Sequence, residues 1–222
     1  MFTGLRSPSR GILLYGPPGN GKTMVAKAVA TACKSTFFNV SASTLMSKWV
    51  GDSERLMKHL FGMAAIYSPS IIFIDEIDSM LTARSSTENE AARRVKTEFL
   101  VQLDGVGSSS GRILVMGATN RPFDLDEAAL RRMTKRIYIG LPEAEAREAL
   151  INKQIAAVAN NLSARDIKSI AKNTEGYSSA DLAAVVKDAA MQPLREVPPK
   201  DILNMDKNNL RPVGKQDFAI AI

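Results

Sequence analysis

The sequence Gly16-Pro17-Pro18-Gly19-Asn20-Gly21-Lys22-Thr23 fits the pattern G-x-x-x-x-G-K-[ST] of a phosphate-binding loop. An apolar run at residues 12–15 precedes it and a helix-forming run at residues 24–30 follows it, which is the strand–loop–helix order that such a loop requires. The glycines let backbone N–H groups face phosphate oxygens, and the start of the helix adds a positive dipole end. The pattern predicts a nucleotide site over Gly16–Met24, in which Lys22 reaches the β- and γ-phosphates and Thr23 holds Mg²⁺.

Composition is that of a globular chain. Its 222 residues, 45% of them apolar, suit one large domain or one domain with a small satellite. The apolar runs fall short of the ~18 residues of a membrane span, and a single cysteine, Cys33, excludes an internal disulfide framework. We expect Cys33 to be a buried side chain on a helix and the chain to be intracellular. The net charge of +6 suits an acidic partner, and nucleic acid, acidic membrane and acidic peptide all remain open.

Strand-like and helical patterns alternate through the first part of the chain. The strand-like runs lie at residues 11–15, 36–40, 71–74, 112–117 and 136–139, and the helical patterns at 23–34, 53–66 and 88–103. This alternation predicts an α/β fold with a mainly parallel sheet covered by helices on both faces.

The pattern changes after Leu141-Pro142. Apolar residues then recur with helical spacing, further helices are predicted at residues 164–173 and 179–191, and no clear strand follows. We therefore predict an α/β nucleotide-binding domain over residues 1–142 and a small helical domain over residues 143–222, whose last helix is cut short at Ile222.

The apolar run Ile71–Ile74 ends in two acids, Asp75 and Glu76. A buried strand that delivers carboxylates at its C-terminal end is a Walker B element, in which Asp75 holds Mg²⁺ through its water shell and Glu76 acts as general base on the attacking water. The alternative is an ordinary strand end with solvated acids. The position of these acids after a phosphate-binding loop favours the first interpretation.

Asn120 and the arginine pair Arg131-Arg132 each allow two interpretations. Asn120 ends a strand-like run, and its amide could bind both the γ-phosphate and the attacking water because it carries a donor and an acceptor. It could equally begin the turn before Arg121-Pro122. Arg131 and Arg132 could have a functional role. They could equally be basic residues at the end of a helix that interact with the helix dipole.

Three motifs in this order resemble the AAA ATPases: the phosphate-binding loop, Ile74-Asp75-Glu76-Ile77-Asp78 and Ala118-Thr119-Asn120-Arg121-Pro122. The resemblance covers essentially the whole chain. It implies an α/β P-loop module with a helical lid, ATP and Mg²⁺ as ligands, and a homo-hexamer in which Arg131 and Arg132 are arginine fingers that reach a neighbouring subunit's nucleotide. Within the meiotic clade of this family, Phe2–Arg6, Asn20 and Leu130–Arg136 are most similar to the spastin type, and fidgetin-like proteins come next.

The segment Gly176–Asp181 resembles the sensor-2 region of this clade, without the arginine that other AAA clades carry there. The resemblance implies that Gly176 and Ser179 contact adenine and ribose through backbone and small side chains. We expect a segment before Phe2 and a C-terminal helix, both usual in the family, to be missing from this chain. Their absence would affect nucleotide affinity and hexamer formation.

Lys48-Trp49-Val50 resembles the central-pore loop of the family. A cation beside an aromatic ring can grip an extended acidic peptide, and the neighbouring serines and Gly51 predict an exposed loop rather than a core tryptophan. Arg84 and Arg93 resemble the second pore loop and the helix behind it, although a solvated helix face with local ion pairs explains the pattern equally well. His59 lies among apolar residues, and we expect it to be structural.

The resemblance implies an ATP-driven motor that draws acidic tubulin tails through its pore and severs microtubules. The alternatives are a fidgetin-like ATPase in microtubule or DNA-repair work, an ESCRT-III-disassembling ATPase, a nucleic-acid-associated ATPase and a nucleotide-gated scaffold. The sequence contains no recognised nucleic-acid module, so we expect no nucleic-acid partner, and an intact Glu76 argues against a scaffold. We expect a cytoplasmic, cytoskeleton-associated protein, with nuclear or perinuclear locations as further options and membrane contact only through segments outside this chain.

Overall fold

The computed structural model describes residues 9, 11–46, 53–82, 90–106, 112–198 and 210–222. The chain forms two compact units. The first unit consists of Met1–Gly16 with Gly21–Ile139, and the second of Pro17–Asn20 with Gly140–Ile222.

The first unit contains a five-stranded sheet in the order β2-β3-β4-β1-β5. Its strands are β1 (Gly11–Tyr15), β2 (Thr36–Ser41), β3 (Ser70–Asp75), β4 (Ile113–Thr119) and β5 (Lys135–Tyr138). All four neighbouring pairs are parallel. Tyr15 pairs with Thr119, and Ile74 pairs with Gly117, so the C-terminal ends of β1, β3 and β4 lie together at one edge of the sheet.

Helices cover both faces of this sheet. They are α1 (Lys22–Ala32), α2 (Ala42–Met46), α3 (Ser53–Ile66), α4 (Asp78–Leu81), α5 (Glu90–Gly105) and α6 (Glu127–Arg132), with a 3₁₀ turn at Pro122–Asp124. On one face, Leu14, Phe73 and Met116 pack with Ala26 and Ala30 of α1. On the other face, the core combines strand, α3 and α5 residues that include Leu13, Ile72, Ile74, Val115, Phe61 and Phe99. The predicted α/β fold is confirmed.

Burial explains the apolar run that forms β3. Ile71, Ile72, Phe73 and Ile74 are each at most 3% exposed, because β3 is an inner strand of a parallel sheet with helices on both faces. Each such side chain contributes about 1.5–3 kcal/mol relative to an exposed position. This strand therefore anchors the acids that follow it.

Most predicted boundaries in the first unit differ from the observed ones by one or two residues. The predicted strand at 112–117 is displaced to Ile113–Thr119, and the predicted helix at 23–34 ends at Ala32. The helix stops there because Lys34 adopts a left-handed backbone conformation, with φ of 51°. The expectation of a buried Cys33 is therefore wrong, since this residue lies on the exposed turn after α1.

His59, which we expect from the sequence to be structural, is exposed on α3. The buried side of α3 carries Met57, Phe61 and Ala64, and His59 falls outside this stripe.

The second unit is helical. It consists of α7 (Ala144–Ile155), α8 (Ala164–Asn173), α9 (Ser179–Arg195) and α10 (Lys215–Ala221), and no strand occurs among its described residues. The predicted helix at 164–173 has the observed bounds, whereas α9 continues four residues beyond the predicted end at Met191 and includes Pro193. The core of the unit is apolar, with Ile151, Ile155, Ile170, Leu182, Val186 and Phe218 among its members.

A buried carboxylate anchors the last helix of the second unit. Asp217 is 1% exposed and accepts two hydrogen bonds of 2.8 Å from the Arg211 guanidinium, and a third from the backbone N–H of Gly214. The hydrogen bonds from Arg211 hold the pKa of Asp217 below its usual range, against the opposite effect of burial.

Candidate nucleotide-binding site

The phosphate-binding loop begins at the end of β1 with a glycine that no other residue could replace. Gly16 has φ of 142°, and a Cβ at this position would lie 2.2 Å from the carbonyl oxygen of Ile139. Gly21, with φ of 84°, is the N-cap of α1. These two positive φ angles turn the chain from the strand into the helix, so the start of α1 is set at the edge where β1 ends.

Lys22 is the first residue of α1 and is 8% exposed. Its Nζ donates a hydrogen bond of 2.9 Å to the carbonyl oxygen of Gly16. Burial lowers the pKa of Lys22, and the nearby charge of Asp75 acts in the opposite direction. The ammonium group is thus held within the loop that the sequence predicts to bind phosphate.

The end of β3 meets the start of α1. Thr23 Oγ1 donates a hydrogen bond of 3.0 Å to Asp75 Oδ2, although the two residues are 52 positions apart in the sequence. The other carboxylate oxygen of Asp75 accepts the backbone N–H of Glu76 at 2.9 Å. A hydroxyl and a carboxylate side by side are oxygen ligands of the kind that Mg²⁺ prefers, so these two residues fit a magnesium site.

Glu76 combines an exposed side chain with a left-handed backbone. Its φ is 51°, which is uncommon for a residue with a Cβ and costs about 1–3 kcal/mol. Hydrogen bonds on both sides hold this conformation: Asp75 accepts the Glu76 N–H, and the carbonyl oxygen of Ala118 accepts the Ile77 N–H at 2.9 Å. The structure therefore places the exposed Glu76 carboxylate at the edge of the sheet where β3 ends. Sequence reasoning identified the residue but not its strained conformation.

A pair that the sequence analysis missed supports the end of β4. Thr119 is 1% exposed, and its hydroxyl donates to Asp78 Oδ1 at 2.6 Å and accepts the Arg121 N–H at 2.9 Å. These bonds fix the bend that carries Asn120, which is exposed. The signal was present in the sequence, because Asp78 and Thr119 belong to the two motifs that contain Glu76 and Asn120.

The two arginines at the end of α6 have different surroundings. Arg132 donates from two nitrogens to the Asp104 carboxylate, at 2.8 and 2.7 Å, and from a third to the carbonyl oxygen of Ala128. Hydrogen bonding to Asp104 raises the pKa of Arg132. Arg131 has a side chain that is 80% exposed and pairs with the equally exposed Glu127 at 3.2 Å. Arg132 is thus fixed in place, whereas Arg131 is held by a surface pair of the kind that contributes about 0–1 kcal/mol.

Within the second unit, part of the phosphate-binding loop contacts α9. Asn20 Oδ1 accepts the Ser179 N–H at 3.1 Å, and the carbonyl oxygen of Gly19 accepts the Ala180 N–H at 3.0 Å. Gly176 lies in the turn before α9 with φ of 83°. Of the two predicted lid residues, the structure therefore joins Ser179 to the loop, while Gly176 shapes the turn.

The predicted pore residues are mostly beyond what the structure describes. Lys48, Trp49, Val50 and Arg84 lie outside the described residues. Arg93 is exposed on α5. Arg94 and Glu90 form an i,i+4 pair on α5, as the alternative of a solvated helix face predicts, whereas Glu98 pairs with Lys58 of α3.

The described residues contain neither a membrane-spanning helix nor a cluster of metal-ligating side chains. No helix among them is both long enough and apolar enough to span a bilayer. No group of three or more histidine, cysteine, aspartate or glutamate side chains in these parts of the chain could hold a metal ion by itself.

A parallel sheet with a glycine-rich loop after β1 and acids after β3 defines a P-loop NTPase. Residues 12–141 match the family described as "ATPase family associated with various cellular activities (AAA)", and residues 154–208 match the AAA+ lid domain. The chain belongs to the AAA family of ATPases.

Curated relatives include spastin. The chain is 54% identical to spastin of Anopheles gambiae over 220 residues, which are 98% of this chain and 27% of that protein. It is 53% identical to spastin of Drosophila melanogaster over 98% of this chain and 29% of that protein. The predicted resemblance to the spastin type is confirmed, and the chain spans less than a third of the length of these relatives.

Solved structures are similar over almost the whole chain. The FIGL-1 AAA domain in complex with ADP superposes with a TM-score of 0.89 and is 50% identical, covering 99% of this chain and 73% of that one. A structure titled "Structural Basis for Katanin Self-Assembly" has a TM-score of 0.82 and is 42% identical. This similarity covers 99% of the present chain and 73% of the chain in that structure. These similarities agree with the predicted order of resemblance, in which fidgetin-like proteins follow the spastin type.

The Thr119–Asp78 pair provides a test of how β4 presents Asn120. We expect Thr119→Val to lower the free energy of unfolding by about 1–3 kcal/mol, because the Asp78 carboxylate and the Arg121 N–H lose the buried Thr119 hydroxyl as their hydrogen-bond partner. Thr119→Ser keeps the hydroxyl and is the matched control, with a loss of about 0.8 kcal/mol for one methyl group. Urea unfolding of the three proteins measures the difference. A Thr119→Val protein as stable as Thr119→Ser would contradict the role of the hydroxyl.

Proposed function

We propose that this chain binds ATP with Mg²⁺ and hydrolyses it at the sheet edge where β1, β3 and β4 end. The observation that carries the proposal is the 3.0 Å hydrogen bond between Thr23 and Asp75. It brings together the hydroxyl and the carboxylate that a magnesium ion on the nucleotide phosphates needs. The similarity to an AAA domain that binds ADP supports the choice of nucleotide.

The loop Gly16–Met24 would bind the triphosphate. Its backbone N–H groups face the phosphate oxygens, and Lys22 Nζ exchanges its bond with the Gly16 carbonyl for the β- and γ-phosphates. The negative charge of the triphosphate favours the protonated form of Lys22, against the effect of its burial. Thr23 and Asp75 would hold Mg²⁺, which supplies charge neutralisation on the β- and γ-phosphates.

Glu76 and Asn120 would act on the attacking water. The Glu76 carboxylate accepts a proton from the water as the water oxygen bonds to the γ-phosphorus and the bond from that phosphorus to ADP breaks. The Asn120 amide orients the water and the γ-phosphate, which agrees with its exposed place at the end of β4. The strained backbone of Glu76 keeps its side chain at this edge.

Glu76→Gln tests the assignment of the base. We expect the variant to bind ATP as tightly as the wild type and to hydrolyse it about 10²–10⁴-fold more slowly, because an amide cannot accept the proton from water. Single-turnover hydrolysis and equilibrium ATP binding are measured side by side. Glu145→Gln, an exposed position on α7, is the control for removing a negative charge. Equal turnover by Glu76→Gln and the wild type would exclude the role of Glu76.

We further propose that the chain acts in a homo-hexamer in which α6 faces the nucleotide of a neighbouring copy. Arg131 would reach the phosphates, because its exposed pair with Glu127 is readily exchanged, and Arg132 would support it from its fixed position on Asp104. In this assembly residues 1–142 would form the nucleotide-binding domain and residues 143–222 the lid.

The proposed substrate is an acidic peptide, namely the C-terminal tail of tubulin. Sequence identity of 53–54% to spastins favours microtubule severing, and the net charge of +6 suits an acidic partner. Lys48, Trp49 and Val50 would line the central pore and grip the tail, with Arg84 and Arg93 attracting its carboxylates. The expected place of action is the cytoplasm, on the cytoskeleton.

A fidgetin-like role in microtubule or DNA-repair work is the second candidate. The 50% identity to the FIGL-1 AAA domain over 99% of this chain favours it. A nuclear location would accompany this role. Disassembly of ESCRT-III polymers has no comparable observation in its support.

Trp49→Ala in the full-length protein tests the pore assignment. We expect ATP turnover to stay near that of the wild type and filament severing to be lost, because the grip on the peptide is removed and the phosphate-binding residues are untouched. Lys48→Ala should weaken severing less, and added salt should reduce its difference from the wild type because charges are screened beyond ~10 Å at 0.1 M. Normal severing by Trp49→Ala would exclude the pore assignment. A loss of about 3–5 kcal/mol of stability in this variant would instead indicate a core tryptophan.

A further inference from the structure

We propose that Asn20 is a positioning residue that couples ATP binding at the phosphate-binding loop to the first turn of helix α9. The inference rests on the proposed binding of ATP by this loop. Two neighbouring hydrogen bonds join the loop to the helix: Asn20 Oδ1 accepts the Ser179 N–H at 3.1 Å, and the carbonyl oxygen of Gly19 accepts the Ala180 N–H at 3.0 Å. We call these two bonds the loop–helix latch.

The Asn20 side chain forms hydrogen bonds both to α9 and within its own loop. Its Oδ1 accepts from α9, while its Nδ2 donates to the carbonyl oxygens of Pro17 and Pro18, each at 3.3 Å. One planar amide thus braces the turn of the loop and binds the helix at the same time. A side chain of this length that lacked either a donor or an acceptor would lose the bonds to the loop or the bond to α9.

The first turn of α9 supplies donors that the helix itself does not use. The initial N–H groups of a helix have no partner within it. Ser178 caps α9 through its hydroxyl, which accepts the Asp181 N–H, and the Asp181 carboxylate accepts the Ser178 N–H in return. The other two N–H groups of this turn donate to the loop: Ser179 to Asn20 Oδ1 and Ala180 to the carbonyl oxygen of Gly19. The loop segment therefore completes the cap of the helix.

Close packing makes the contact specific. Gly19 has φ of 75°, and a Cβ at this position would lie 2.9 Å from both Ala180 Cβ and Ser178 Oγ. The loop backbone lies so near α9 that only glycine fits. Residues Pro17–Asn20 accordingly belong to the same compact unit as α9.

This arrangement has a consequence for nucleotide binding. Phosphate must be met by backbone N–H groups of the loop in one particular conformation, and the latch holds part of the loop in the conformation seen here. A bound ATP that uses this conformation strengthens the latch, and by thermodynamic reciprocity an intact latch strengthens the binding of ATP. Binding of nucleotide to the loop would in this way stabilise the first turn of α9.

Two substitutions remove the Asn20 bond from opposite sides. Asn20→Ala deletes the acceptor. Ser179→Pro deletes the donor, and the helix should tolerate it because residue 179 is the first of α9, where proline is favoured, and Ser178 is already extended with ψ of 166°. The matched control is Ala164→Pro, which places proline at the corresponding first position of α8 behind the same type of cap, Ser163 with Asp166.

ATP affinity with Mg²⁺ is measured by calorimetry on the wild type, the three variants and the double variant Asn20→Ala/Ser179→Pro, together with thermal unfolding without nucleotide. We expect each latch variant to bind ATP about 3- to 10-fold more weakly, the double variant to bind no more weakly than either single one, and the control to match the wild type. Hydrogen exchange at the first turn of α9 should slow on addition of ATP in the wild type and the control, and not in the latch variants.

Wild-type affinity in Asn20→Ala or Ser179→Pro would overturn the coupling, as would losses that add in the double variant. Lower unfolding temperatures in both latch variants with unchanged affinity would also overturn it, since the bond would then serve folding alone. A wild-type chain that fails to bind ATP would overturn the proposed function itself, and the latch with it.

Discussion

Parallel pairing of three neighbouring strands is the constraint on which the site depends. Because β1 lies beside β4 and β4 beside β3, all running in the same direction, their C-terminal ends meet at one edge. Each strand is followed there by a polar group: Lys22 and Thr23 after β1, Asp75 and Glu76 at the end of β3, and Asn120 after β4. Buried apolar side chains on both faces of β3 hold this strand in the interior of the sheet. Chemistry at the edge is thus a consequence of packing in the interior.

The polar groups at this edge and on α6 are joined by hydrogen bonds within the chain. Lys22 donates to Gly16, Thr23 to Asp75, Thr119 to Asp78 and Arg132 to Asp104. Among the described residues, no buried side-chain nitrogen or oxygen lacks a hydrogen-bond partner. At Glu76 a left-handed backbone conformation is held by two neighbouring hydrogen bonds, from the Glu76 N–H to the Asp75 carboxylate and from the Ile77 N–H to the carbonyl oxygen of Ala118.

Local patterns predicted the fold and the chemical identity of the site residues, because strand, loop and helix signals are short-range. They did not predict contacts between distant parts of the chain. Thr119–Asp78 and Asn20–Ser179 join residues 41 and 159 positions apart, and only the folded chain brings them together. The error at Cys33 has a similar origin: this residue was assigned to the interior from its alanine neighbours, whereas the end of α1 leaves it exposed. The left-handed conformation of Glu76 was not predicted from the sequence, because one of the bonds beside it joins Ile77 to Ala118 on the neighbouring strand β4.

ATP turnover per chain, measured against protein concentration from clearly monomeric to assembled samples, tests most directly whether hydrolysis occurs at a site shared by neighbouring copies. If Arg131 acts on the nucleotide of another copy, turnover per chain rises with concentration, and by a large factor, since arginine fingers contribute about 10³–10⁵ in rate where they have been measured in small GTPases. Turnover per chain that stays constant over this range would contradict the shared site and leave Arg131 as a surface charge on α6.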